Sequence, residues 1–223
     1  MTINLINHFK KLIYLIVFAG VSSASAGSYE DFFNAIKQDD AKTVKALLTR
    51  GFDANTPDPK GLNGLYLALR EPALKTAQVL IDWPKTDVNV LNAKGESALM
   101  LAALKGHQDL AEKLIKKGAD VNKTGWTPLH YAASSGHLAM ISLLLENSAY
   151  IDAESPNRTT PLMMAAMYGT PAAVKLLLQE GADTQLKNQQ GLTALQFAQR
   201  ANRGDAAEAI AASVRSKRPA GQW

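Results

Sequence analysis

The chain repeats itself. Thr127-Pro128-Leu129-His130-Tyr131-Ala132-Ala133 returns as Thr160-Pro161-Leu162-Met163-Met164-Ala165-Ala166. Looser copies open at Ser97 and Thr193, and a degenerate one at Asn63. The leucines they share, Leu65, Leu99, Leu129, Leu162 and Leu195, lie 34, 30, 33 and 33 residues apart. A period of this length marks one supersecondary unit that cannot bury its own apolar face, so only a stack of units yields a core.

A second motif runs in step with the first. Gly118-Ala119-Asp120-Val121-Asn122 returns as Gly181-Ala182-Asp183 and, degraded, as Gly51-Phe52-Asp53-Ala54-Asn55, while Gly-His at 106–107 recurs at 136–137. Each unit therefore holds two short apolar stretches at helical spacing, such as Leu129/Ala132/Ala133 and Leu138/Ile141/Leu144/Leu145. Stretches of about nine residues are too short to be stable alone. The Thr that opens a unit suits an N-cap, and the Pro after it suits the first helical position. Gly118 and Gly181 follow the second stretch, where a left-handed cap is wanted. Gly95, Gly125 and Gly191 fall at turn tips.

These residues resemble the ankyrin repeat, and the resemblance covers residues 28–214. It implies an all-α solenoid with short turns between six units: 28–60, 61–94, 95–124, 125–157, 158–190 and 191–214. Ser28 is expected to cap a first helix from Tyr29 to Gln38. An Ala-rich last helix is expected from Asp205 to Val214, followed by a frayed tail, 215–223. Three departures stand out. The unit opening at Gly95 is three residues short, so the turn before Trp126 is clipped. Arg158 stands where the other turns carry Gly. The second unit has Pro72 and Pro84 at its helix junctions and no Thr-Pro.

The first 26 residues read as an address. His8, Lys10 and Lys11 precede the apolar run Leu12–Ala19, and small residues lead to Ala24-Ser25-Ala26. This is the pattern of a secretory signal cut after Ala26, and the apolar run is far short of the roughly twenty residues of a membrane span. No stable membrane insertion is expected after the cut. The form of the signal points to the periplasm of a Gram-negative cell. Cleavage removes two of the 24 basic residues and none of the 20 acidic ones, so a net charge of +4 falls to +2. A surplus this small, dispersed along the chain, does not suggest nucleic-acid binding. With no Cys, disulfides, thiolate metal sites and cysteine nucleophiles are excluded.

No constellation for chemistry emerges. No phosphate loop, His-Glu-x-x-His or nucleophile elbow is present. Ser134 and Ser135 lie near His137 without an orienting acid. His107 and His137 occupy equivalent places in adjacent units and are too far apart to chelate one ion. The expectation is no catalytic residue, no metal and no cofactor.

Family members bind partners through their turn tips and the exposed positions of each first helix, which line a concave face. The resemblance carries that role to Leu104, Lys105, Trp126, Ser134, Ser135, Thr159, Met167, Tyr168 and Arg200. Leu104, Trp126, Met167 and Tyr168 are expected to share one face, and Trp and Tyr dominate binding hot spots. Trp126 could instead fold over the shortened turn. Met163 and Met164 read as core. The function expected is non-enzymatic capture of a protein partner by an exported monomer. The alternatives are immunity against a periplasmic toxin, or support of an oxidative-stress enzyme such as catalase.

Overall fold

Twelve helices form six helix–turn–helix pairs in the computed structural model, which describes residues 23–216. The pairs are α1 (Ser23–Lys37) with α2 (Ala41–Thr49), α3 (Gly64–Arg70) with α4 (Leu74–Asp82), and α5 (Ala98–Lys105) with α6 (Gln108–Lys116). They continue as α7 (Pro128–Ser135) with α8 (Leu138–Glu146), α9 (Pro161–Met167) with α10 (Pro171–Gln179), and α11 (Ala194–Arg200) with α12 (Gly204–Ser216). First helices pack against first helices and second against second, giving two layers along one stack.

Local chemistry starts the first helix of every pair after the opening one. Asn63, Ser97, Thr127, Thr160 and Thr193 are the N-caps of α3, α5, α7, α9 and α11, and Pro128 and Pro161 open α7 and α9. The third helical position bonds back to the cap with whatever acceptor it carries: Met100 sulfur, His130 Nδ1, Met163 sulfur and Gln196 Oε1. Four side chains thus serve one capping box. Alanines pave the contact between first helices, with Ala68, Ala102, Ala103, Ala132, Ala133, Ala165, Ala166 and Ala198 fully buried. Short side chains let this layer draw close, and the surface the first helices turn away from the second layer is termed the inner face. Gly169 marks the tightest approach: a Cβ there would press into the Ala133 carbonyl oxygen and lie 2.9 Å from Ala165 Cα.

The loops are stapled unit to unit. Asn55 Nδ2 donates to the Lys85 carbonyl, and its Oδ1 accepts from Asp87 N–H. Asn89 makes the same two bonds to Gly118 and Asp120, and Asn122 to Ser148 and Tyr150. The Asp two residues before each Asn (Asp53, Asp87 and Asp120) accepts from that Asn's backbone N–H. The Asp-x-Asn of the second motif is therefore a local turn followed by an inter-unit clamp.

The ends differ from expectation. Helix α1 starts at Ser23 and runs through Ser28, so Ser28 lies inside the helix and is not its cap. Helix α12 starts one residue earlier than expected and runs two residues further. The signal segment up to residue 22 and the tail 217–223 lie outside the described residues. The clipped turn is as the residue count implied. Tips at 58–62, 92–96, 155–159 and 188–192 close with the same pair of backbone bonds, and the turn at 123–126 has no such pair. Arg158 adopts φ +61, close to Gly95 at +75 and Gly191 at +74, so the turn keeps its shape with a residue that strains in it.

Candidate functional face

The inner face is built from two places in each first helix and the residue before its cap. The pre-cap residues run Leu62, Glu96, Trp126, Thr159 and Leu192 along the stack. The fourth residue after each cap runs Leu67, Leu101, Tyr131, Met164 and Phe197. Leu67 and Leu101 are buried, whereas Tyr131, Met164 and Phe197 are half-buried against the core. The exposed side therefore becomes aromatic and sulfur-rich from the fourth unit onward. Leu104 is exposed and Tyr168 is 59% exposed, with Met167 half-buried beside it in sequence. Lys105 and Arg200 are exposed, and Ser134 and Ser135 are half-buried, Ser134 Oγ donating to the Tyr131 carbonyl.

Two expectations need correcting. Thr159 is only 2% exposed: its N–H donates to Ser155 Oγ at 2.9 Å and its carbonyl accepts from His130 Nε2 at 2.8 Å. It is a stacking contact, and no partner can reach its side chain. Met164 separates from Met163, which alone is core at 1% exposure. Trp126 lies between the two alternatives. It is half-buried, its ring edge-on to His130 at 5.2 Å and 75°, and it directly follows the clipped turn in sequence.

Of the three histidines among the described residues, His130 and His137 bridge neighbouring units. His130 Nδ1 accepts from Thr127 N–H, so Nε2 carries the proton it donates to Thr159. Burial pushes its pKa down to about 4, with the backbone acceptors opposing only in part. His137 Nε2 lies 3.2 Å from the Leu104 carbonyl. His107 is also depressed, by burial first and then by Lys105 and His137. Among the described residues no three acidic or imidazole side chains converge on a point that could hold a metal ion. No helix there is long and apolar enough to cross a membrane.

One cluster escaped the sequence reading. Glu96 Oε2 accepts from Tyr66 Oη at 2.8 Å and Asn92 Nδ2 at 2.7 Å, and Oε1 accepts from Tyr131 Oη at 3.3 Å. Burial pushes both phenols up, Tyr131 to about 12, and the Glu96 charge pushes the same way. Burial also works to raise the Glu96 carboxyl, but its three donors outweigh it and hold it below the usual range. A signal was available: Glu96 is the one charged residue in the pre-cap row, and Tyr66 and Tyr131 lie about one period to either side.

An ankyrin repeats family profile matches the chain in three overlapping copies, at residues 32–124, 65–155 and 148–218. The chain belongs to the ankyrin repeat family. It is 34% identical to neurogenic locus notch homolog protein 1 of Xenopus tropicalis over 54% of this chain and 5% of that protein. It is 30% identical to the mouse B-cell lymphoma 3 protein homolog over 70% of this chain and 36% of that protein. The chain thus spans a minor part of the curated relatives it matches. Two solved structures match far more of their own length. One chain from the complex of the Bd0816 predatory endopeptidase of Bdellovibrio bacteriovorus with immunity protein Bd3460 superposes with TM-score 0.70 and 33% identity, covering 82% of this chain and 97% of that one. An ankyrin repeat domain from Acinetobacter baumannii AYE gives 0.71 and 25%, with the same coverages. The protein is an ankyrin repeat interaction module.

Proposed function

We propose that this protein is exported to the periplasm, without enzymatic activity of its own, and there captures one protein partner on its inner face. The observation that carries the reading is the row of apolar and aromatic side chains left uncovered on that face. Tyr131, Met164, Met167, Tyr168 and Phe197 retain exposure where the stack itself requires none. Aromatic residues and Met are enriched at the centres of interfaces. The likeness to a chain from an endopeptidase–immunity complex favours immunity, with a hydrolase held inactive as the partner.

The test is affinity capture from a periplasmic extract with the exported protein as bait, beside a Trp126→Ala/Tyr168→Ala bait, read by mass spectrometry. One dominant protein lost with the double variant supports the reading, a hydrolase supports immunity, and catalase would move it to enzyme support. Equal capture by both baits overturns the assigned face. Since Trp126 touches His130, Tyr168→Ala alone is the cleaner arm: its ring is exposed, so its melting midpoint should stay at the wild-type value while capture weakens.

A further inference from the structure

The inner face carries a carboxylate that the stack orients without neutralising. Glu96 takes part in neither of the two ion pairs found among the described residues, Arg70–Glu71 and Arg158–Glu154. The arginine on its own side of the stack is already committed, with Arg70 Nε and Nη2 both on Glu71 Oε1. Lys94 is near enough to be felt only as a field. Yet the carboxylate, carried by the third unit, is held in one place by three donors, Tyr66 and Asn92 from the second unit and Tyr131 from the fourth. Oε2 has both lone-pair directions filled by Tyr66 and Asn92, at 2.8 and 2.7 Å. Oε1 has a single long bond, 3.3 Å from Tyr131. One oxygen is therefore saturated, and the other keeps room for a stronger donor.

The surroundings suit a cation. Glu96 and Tyr131 are both half-buried, and Tyr131 reaches the carboxylate through its hydroxyl. A fixed carboxylate outside any ion pair favours an ammonium or guanidinium group, which can give Oε1 a charge-assisted bond. A clamp between units would be expected to use both carboxylate oxygens fully, yet Oε1 keeps only one long bond.

We infer that Glu96, held by Tyr66, Asn92 and Tyr131, is the receptor for one cationic side chain, Lys or Arg, of the protein partner. This rests on the inner-face binding proposed above and specifies the chemistry of the partner there: an inserted basic residue, flanked by apolar ones that meet Met167 and Tyr168.

The test needs no partner. Nα-acetyl-arginine methylamide, Nα-acetyl-lysine methylamide and the neutral isostere Nα-acetyl-citrulline methylamide are titrated into the whole protein. The Glu96 side-chain carboxyl and the Tyr66 and Tyr131 rings are followed by NMR. The expected result is saturable shifts at these three residues with the two cationic probes and none with citrulline. Glu96→Gln should weaken the cationic probes by about tenfold or more, and Tyr168→Ala should leave them unchanged. The capping and loop bonds are independent of Glu96's charge, and amide shifts distant from the site confirm that Glu96→Gln stays folded. Equal shifts with citrulline, shifts surviving Glu96→Gln, or no saturable shift would each overturn the inference. Capture that fails while the probes bind would overturn the partner reading and leave the cation receptor standing. Capture that succeeds without probe binding would do the reverse.

Discussion

Two neighbouring junctions of the stack do the same job with different devices. Between the third and fourth units the loops carry the load: Asn122 both donates to Ser148 and accepts from Tyr150, each at 2.8 Å, and the turn above them is clipped. Between the fourth and fifth units the second-motif position holds Asp152, which accepts from Asp183 N–H at 3.0 Å and carries no amide NH2 such as Asn122 donates. There Gln189 ties the loops instead, its N–H donating to the Asn157 carbonyl and its Nε2 to that of Pro156, and the first helices add two close contacts. His130 reaches Thr159, and Gly169 lets α9 close onto Ala133. A repeat fold requires only that each interface be satisfied, and the same backbone position can be relieved of a bond if another position supplies one.

The largest effect should come from the helix side of the second junction. Gly169→Ala places a methyl against backbone, which cannot rotate away, and is expected to destabilise by about 3 kcal/mol or more, read by urea unfolding. Gly51→Ala is the control. It has open space and φ +97, so it should pay only the conformational strain, on the order of 1 kcal/mol. Equal losses would mean that the close approach of α7 and α9 is not what tightens this junction.

The histidine comes next. His130 is neutral in the fold, with a pKa near 4 against 6.5 for a free imidazole. Between those values the unfolded chain binds a proton that the folded chain refuses. The stability this ring contributes is therefore complete above pH 6.5 and is lost as the pH falls toward 4, to a total of roughly 3 kcal/mol. His107, also depressed, works in the same direction. Glu96, a depressed carboxyl, contributes a loss only below about its ordinary 4.5. His130→Gln keeps the capping box, as Gln196 does in the sixth unit, and should flatten most of the slope between pH 6.5 and 5. An unchanged slope would show that His130 is not the titrating group.

The loop staples are a finer test. Asn122→Asp copies the fourth unit's chemistry into the third, removes the bond to Ser148, and should cost about 1 kcal/mol. The loop staple was only half legible in the sequence. The period fixed where helices, caps and turn tips fall, since each is a local pattern repeated in register, and a simple residue count found the clipped turn. What stayed hidden was every contact reaching one unit ahead. Thr159 reads as a surface position until His130, 29 residues earlier, takes its carbonyl. Tyr66 is only part of a degenerate motif until its hydroxyl meets Glu96, 30 residues later. Within one unit these residues have no visible partner, and only the relative placement of two units supplies it.

The smallest effect is expected at Arg158. The tips at 92–96 and 188–192 place Gly at φ +75 and +74, whereas the tip at 155–159 forces Arg158 to φ +61. A side chain in the left-handed region is strained, and the compensation visible here is an exposed ion pair with Glu154, 3.1 Å away. Such pairs are weak in water and weaken further with salt. Arg158→Gly should therefore raise the melting midpoint by about 2 °C, and by more at 1 M NaCl than at low salt when each variant is compared with wild type in the same buffer. A fall in both buffers would mean that the Glu154 pair outweighs the backbone strain. Arg158 would then be a tie that strengthens the junction where Asp152 lacks a donor.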